Sequence, residues 1–325
     1  MTTLSFYKKI TGWNRQRVDL PLAESITKSA SKQTYYTIRF FADRDRITDA
    51  YRAYAYFRWV DDVIDTGVGS SAERIAFVHR QKSLFESCYH GEVTQGLCQE
   101  EWMLVDLIHS DHDKNSGLQM YLRSMMDVMV FDANRRGRLI SQAELSEYSR
   151  KLAIAVTEAM YYFIGHDDPS PHCDARYLAV IAAHITHMLR DAVEDVENGY
   201  FNIPDEVLAS SGIFPQDISS NAYRAWVCQR VHLAREYFKA GRECTAQVKS
   251  LRCRLAGYAY TARFEWMLDA IERDNYCLRS EYPERKSLWT GLWMCWSTLA
   301  PIFTSLWIQN RTHRLTPQPV RIDKR

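Results

Sequence analysis

An all-α fold is what this sequence predicts, on three observations. Apolar residues recur every three or four positions along six stretches, glycine and proline are scarce (13 and 9 in 325 residues), and no alternating strand pattern closes on an Asn-Gly or Asp-Gly hairpin. The six stretches are Ile47 to Ile64, Leu118 to Val130, Leu145 to Ile164, Tyr177 to Val196, Tyr223 to Phe238 and Leu255 to Leu278. Turn chemistry separates them at Thr66 to Ser71, Gly165 to Pro171 and Ser210 to Asp217, and His109 to Gly117 is polar enough to loop out. These breaks divide helices rather than domains, because the apolar faces on either side need each other as partners. The organisation expected is one helical domain over residues 25–285 around a central cavity, with an N-terminal segment, 1–24, and a C-terminal piece, 286–325.

A formal charge of +1, with no basic stripe ahead of the C-terminal tail, excludes a nucleic-acid protein. Eight cysteines lie scattered without a CxxC pair or zinc spacing, as suits thiols in a reducing cytosol. Residues 1–20 carry Lys8, Lys9, Arg15 and Arg17 but no apolar core of signal-peptide length, so a cytoplasmic location is expected. Leu288 to Ile308 runs without a charge and is followed by Arg311, Arg314, Arg321, Lys324 and Arg325. Its length matches a bilayer span, but Gly291 and Pro301 weaken that reading. Trp289, Trp293, Trp296 and Trp307 suit a helix lying on a membrane surface, with a buried terminal helix as the plainer alternative.

The chemistry is concentrated in two acidic segments. In FRWVDDVIDTG, Asp61 and Asp65 stand four apart and so share one helix face, with Asp62 beside them and Arg58 three residues before. In HITHMLRDAVEDVENGYFNIP, Asp191 and Asp195 repeat the spacing behind Arg190. Carboxylates near a helix C-terminus oppose the helix dipole, and two such helices face to face would repel. Two or three magnesium ions, with a diphosphate completing their oxygen shells, would resolve both conflicts. Such an arrangement neutralises the charge of a departing diphosphate, so that an allylic carbon–oxygen bond ionises to a carbocation in an apolar, aromatic pocket.

With those residues in place, the chain resembles the squalene and phytoene synthase family of all-α isoprenoid synthases, as a divergent member. The resemblance runs from about Ser25 to about Tyr282 through SKQTYYTIRFF, YRAYAYFRWVDDVID, the segment at Tyr148, the second acidic block and YTARFEWMLDAIERDNYCL. It implies metal contacts for Asp61, Asp65, Asp191 and Asp195, and diphosphate contacts for Arg58, Arg190 and Ser31. It also implies reaction-centre tyrosines at Tyr54 and Tyr148 and small cavity-wall positions at Ala153 and Val156. Asp62 is carried with the metal set as the neighbour of Asp61.

The departures lie mostly away from the aspartates. Gln33 and Thr34 replace a serine and a phenylalanine of the family pattern, and His184 and His187 replace a glutamine and an asparagine. Ile154 and Thr157 stand where the family has glycines, narrowing the presumed chain cavity. Tyr200 and Asn202 replace an arginine and a tyrosine ahead of Pro204. Spacing puts both histidines on the face of Asp191 and Asp195, where His187 could ligate metal, take a proton from a carbocation, or only hold Asp191. The resemblance implies head-to-head condensation of two isoprenyl diphosphates to a linear C30 or C40 product. The departures keep two alternatives open: a single-substrate terpene synthase, or prenyl transfer to an aromatic acceptor. No dinucleotide fingerprint supports a nicotinamide requirement, and the oligomeric state is not legible.

Overall fold

The computed structural model of the chain describes residues 15–67, 69–92, 95–113, 116–165 and 173–300, and every regular element among them is helical. In chain order these are α1 (Arg15–Ala30), α2 (Lys32–Phe41), α3 (Ile47–Asp62), α4 (Ser71–Tyr89), α5 (Gln99–Ser110), α6 (Gly117–Arg135) and α7 (Gln142–Phe163). Then come α8 (Ala175–Glu197), α9 (Asp205–Ser211), α10 (Asn221–Ala246), α11 (Leu251–Arg273), a short 3₁₀ turn (Pro283–Lys286) and a helix at 288–300, α12. Residues 1–14, the heart of the turn expected at Gly165 to Pro171, and the tail from 301 with its five basic residues lie outside the described residues.

Helix starts are strongly marked. Ser31, Ser116, Ser220 and Ser250 accept a backbone N–H at the N-termini of α2, α6, α10 and α11, and Ser70–Glu73 and Ser141–Glu144 form reciprocal capping boxes. Each such cap stabilises its helix by about 1 kcal/mol. Between these starts the apolar stripes pair α6 with α7, α7 with α8, α8 with α10, and α1 and α5 with α3. Gly241 of α10 meets Ala179 of α8 so closely that a Cβ there would stand 2.6 Å from the alanine Cβ. Hence α10 can press flat on the helix that carries the second acidic segment.

Two helix ends differ from their periodicity. The pattern carries α11 through Leu278, but the helix stops at Arg273 because Asn275 and Tyr276 take left-handed backbone (φ 53° and 61°). The expected α-helix through Ile64 instead gives way at Val63 to a five-residue π turn, Val63–Gly67. That wider turn carries Asp65, so the first aspartate pair straddles a change of helix type rather than sitting on one regular face.

Candidate active site

Three helix C-termini converge: α3 with its π turn, α6, and α8. Backbone contacts bring the last two together, since Gly137 donates its N–H to the carbonyl of Gly199 at 2.7 Å. Both glycines have φ near +80° (77° and 82°), a conformation that side-chain-bearing residues rarely adopt. Arg136 ties in the third element, donating to the carbonyls of Asn198 (3.1 Å) and Asp65 (3.4 Å).

In the first acidic segment Arg58 reaches down its own helix to Asp61 (3.2 Å) and to Asp62. Burial, and then the neighbouring charge of Asp65, push the Asp61 carboxyl up to about 7 despite that arginine. Asp65 is exposed and accepts a hydrogen bond from the Tyr200 hydroxyl at 3.1 Å, a link from the segment after α8 back to the first motif. In the second segment Arg190 donates through Nε to Asp191 at 2.6 Å, and His187 Nε2 lies 3.2 Å from the other Asp191 oxygen. Asp195 accepts from the Asn202 amide at 2.6 Å. Burial, and then Asp191, raise its carboxyl to about 7 as well.

Between the two segments sits a pair that the sequence reading passed over, Asp132 and Arg135 at the end of α6. Arg135 Nε donates to Asp132 at 2.7 Å and its NH1 to Asn202 Oδ1 at 2.8 Å. The Tyr148 hydroxyl donates to the second Asp132 oxygen at 3.0 Å. Burial raises the Asp132 carboxyl above its ordinary range, opposed by Arg135 and by the Tyr148 hydrogen bond. Burial and then Asp132 hold the Tyr148 phenol well above 10, so at neutral pH it stays a donor. The available signal was an acid three residues before an arginine at the end of a Met-rich apolar helix, a spacing that reads equally as a surface ion pair.

The remaining expected residues are distributed unevenly. His184 does not join His187 on the cleft. It is buried, with Nδ1 3.1 Å from the Ser149 hydroxyl and its ring edge-on to Tyr148 at 4.8 Å. Burial, and then His187, depress its pKa well below 6.5, so it is neutral. Tyr54 is half-buried, one turn before Arg58 on α3. On α7, Ala153 is fully buried, Ile154 and Val156 are half-buried, and Thr157 is 1% exposed with no hydrogen-bond partner for its hydroxyl. Ser31 is occupied in capping α2, and Gln33 accepts from Arg263 of α11 at 2.8 Å. Neither has a hydrogen bond to the acidic residues.

Among the described residues no three acidic, histidine or cysteine side chains are gathered as a ready-made metal cage. The donors nonetheless fit magnesium. They are all oxygen, they come in pairs from two acidic segments, and in each pair one carboxyl is pushed up to about 7 by burial first and by its acidic neighbour second. Magnesium takes one or two carboxylates and fills its octahedron with phosphate oxygens and water, so a pair of carboxylates is enough protein ligand for it.

A family model for squalene/phytoene synthase matches residues 27–290. The presqualene diphosphate synthase of Zymomonas mobilis is 28% identical over 194 residues, which is 60% of this chain and 63% of that protein. The 15-cis-phytoene synthase of Synechococcus elongatus is 31% identical over 112 residues, 33% of this chain and 36% of that protein. The match thus spans less than two thirds of the length of either relative. A crystal structure of a squalene synthase from Alicyclobacillus acidocaldarius superposes with a TM-score of 0.64 over 81% of this chain and 97% of its own, at 19% identity, and so shares the all-α fold.

Proposed function

Since this chain belongs to the squalene/phytoene synthase family of prenyltransferase-type enzymes, we propose that it condenses two isoprenyl diphosphates head to head into a linear C30 or C40 product. The observation that supports this most is the convergence of both acidic segments on the end of α6, through Tyr200 to Asp65 and through Asn202 to Asp195. Asp61 and Asp65 on one side, and Asp191 and Asp195 on the other, hold magnesium in this reading, with Asp62 beside the first pair. Magnesium, when bound, supplies the positive charge that stabilises the leaving diphosphate.

The chain's own residues do the rest. Arg58 and Arg190 each already neutralise an aspartate and stand where they can also take diphosphate oxygens. The ring of Tyr148 stacks on Phe131 at 4.8 Å and lies under the Arg135 guanidinium at 5.0 Å. A ring that already carries a cation is a poor support for a second one, so Tyr54 is the better placed of the two tyrosines to face the carbocation. His187, bonded to Asp191 beside the leaving group, serves as proton acceptor. In this reading Ala153, Ile154, Val156 and Thr157 line the chain cavity, and Ser31 and Gln33 contact substrate.

Purified protein given magnesium and farnesyl or geranylgeranyl diphosphate tests this by product mass. A C30 or C40 hydrocarbon or its cyclopropyl diphosphate precursor is the expected product. A C15 or C20 terpene would replace condensation with single-chain cyclisation, the reading that Ile154 and Thr157 favour. No metal-dependent diphosphate release would end the proposal.

We also propose that the C-terminal apolar helix contacts a membrane surface. No helix among the described residues is long and apolar enough to cross one. Yet α12 turns Leu288, Trp289, Leu292 and Trp296 outward at 62–87% exposure, while Thr290 and Trp293 face the protein. An apolar row rich in tryptophan suits the lipid interface. Flotation of the full chain with anionic liposomes, lost on W289S/W296S, is the expected result, and equal flotation of the variant rejects it.

A further inference from the structure

We propose that Arg135 is a positioning residue for the second acidic segment, orienting Asp195 through Asn202. The inference rests on the reading of Asp195 as a magnesium contact.

It follows from which groups can donate. An amide side chain has one accepting and one donating end, and density of contacts alone does not say which faces where. A guanidinium only donates. Arg135, 2.8 Å from Asn202, therefore takes the amide oxygen and leaves the NH2 group to face Asp195 at 2.6 Å. That hydrogen bond occupies Asp195 Oδ2 and leaves its other oxygen as the one to meet a cation. Without Arg135 the amide is free to flip, and Asp195 loses the donor that fixes its rotamer.

Arg135 is itself held on every side. It is 7% exposed, its Nε is paired with Asp132, and Asp132 is fixed in turn by the Tyr148 hydroxyl. The rings of Tyr148 (5.0 Å) and Tyr200 (4.9 Å) lie against its guanidinium. A planar fork reaching two acceptors at once is what arginine offers and lysine does not. A buried ion pair kept only for stability would need Asp132 alone. The second arm, spent on Asn202, is what makes this an aiming device.

The test is manganese binding to the folded protein in the presence of inorganic pyrophosphate, read by electron paramagnetic resonance, with helicity checked by circular dichroism. Outer partners of metal ligands are typically worth about 10–100-fold in affinity, and Arg135→Lys, which keeps the charge, should weaken manganese binding by that much. Arg135→Gln separates charge from aim. Deleting a nearby positive charge should tighten cation binding by Coulomb's law, so weaker binding identifies orientation and tighter binding overturns the inference. Asn202→Leu should match the lysine variant, and the double variant should be no worse than Asn202→Leu alone, because both act on one link. A folded Arg135→Lys protein with wild-type affinity, or losses that multiply in the double variant, also overturns it. If the arginine variants do not fold, Asn202→Leu decides, with unchanged affinity counting against. Wild-type protein that binds no manganese would sink the metal reading and this inference together, an outcome distinct from a wild-type site that binds and ignores Arg135.

Discussion

The two acidic segments have the same spacing and each carries an arginine, yet they are supported in different ways. The first is neutralised from inside its own helix, where Arg58 serves both Asp61 and Asp62, and it ends on a π turn that releases Asp65 to solvent. The second is divided. Arg190 and His187 both spend themselves on Asp191, so Asp195 depends on Asn202 and Arg135, which lie beyond the helix. The carboxyl pushed up to about 7 is the first of one pair, Asp61, and the last of the other, Asp195, in each case by burial first and by the partner aspartate second. Equal spacing supplies equal ligands. It does not supply equal neutralisation, which is decided by residues arriving from elsewhere in the chain.

The largest effect expected from that difference falls on Asp61 and Asp195. Replacing either with Asn should lower metal-dependent diphosphate release on the order of 10³-fold, the loss typical of a group that stabilises charge in the transition state. The same changes should make the metal-free protein more stable at high pH. An unfolded aspartate titrates near 3.9, so between about 4 and 7 the native protein holds protons that the unfolded chain has released. Stability then falls as pH rises through that window and levels off above it. D61N and D195N should each be more stable than the wild type in urea at pH 8 with EDTA, and close to it at pH 4.5. Asp65→Asn, at an exposed carboxylate, should gain less, because it relieves the repulsion on Asp61 but not the burial of that carboxyl. Parallel wild-type and variant stabilities across the window would show that the carboxylates are not the repelling pair inferred here.

How far the sequence revealed this follows the same division. Stretches whose apolar period was unbroken, such as Leu145 to Ile164 and Tyr177 to Val196, were legible to within three residues as α7 and α8. Helix α4 was not, because Arg74 and Gln81 are buried in it and interrupt the stripe. Leu278 extends the period of α11 past its end, since periodicity carries no information about the left-handed backbone at Asn275 and Tyr276. Asp191, Asp195 and their arginine were legible because helix spacing alone puts them side by side, whereas the π turn under Asp65 breaks that spacing in the first pair. Asp132 and Arg135 were not, because an i,i+3 acid–base pair is ordinary on a surface. It becomes buried only when Gly137 and Gly199 bring residues sixty positions away against it. The two histidines show the limit from the other direction: three residues apart, they part company, one buried on Ser149 and the other open on Asp191.

The smallest expected effect sharpens the comparison most. Tyr200 crosses from the second segment to the first, its hydroxyl on Asp65 and its ring on Arg135. Burial, and then Asp65, hold that phenol above its usual 10, so it donates at any working pH. Tyr200→Phe keeps the ring contact and removes only the donor. A hydrogen bond to a charged group contributes about 1.5–3 kcal/mol when well sheltered, and less where the acceptor is exposed, as Asp65 is. A loss of about three- to tenfold in kcat/KM is therefore expected, with manganese affinity at Asp195 unchanged, because the ring still covers Arg135. Were the first segment self-sufficient through Arg58, kcat/KM would not move. Were the two segments instead one coupled network, Tyr200→Phe would weaken the metal at both, and the division between them would dissolve.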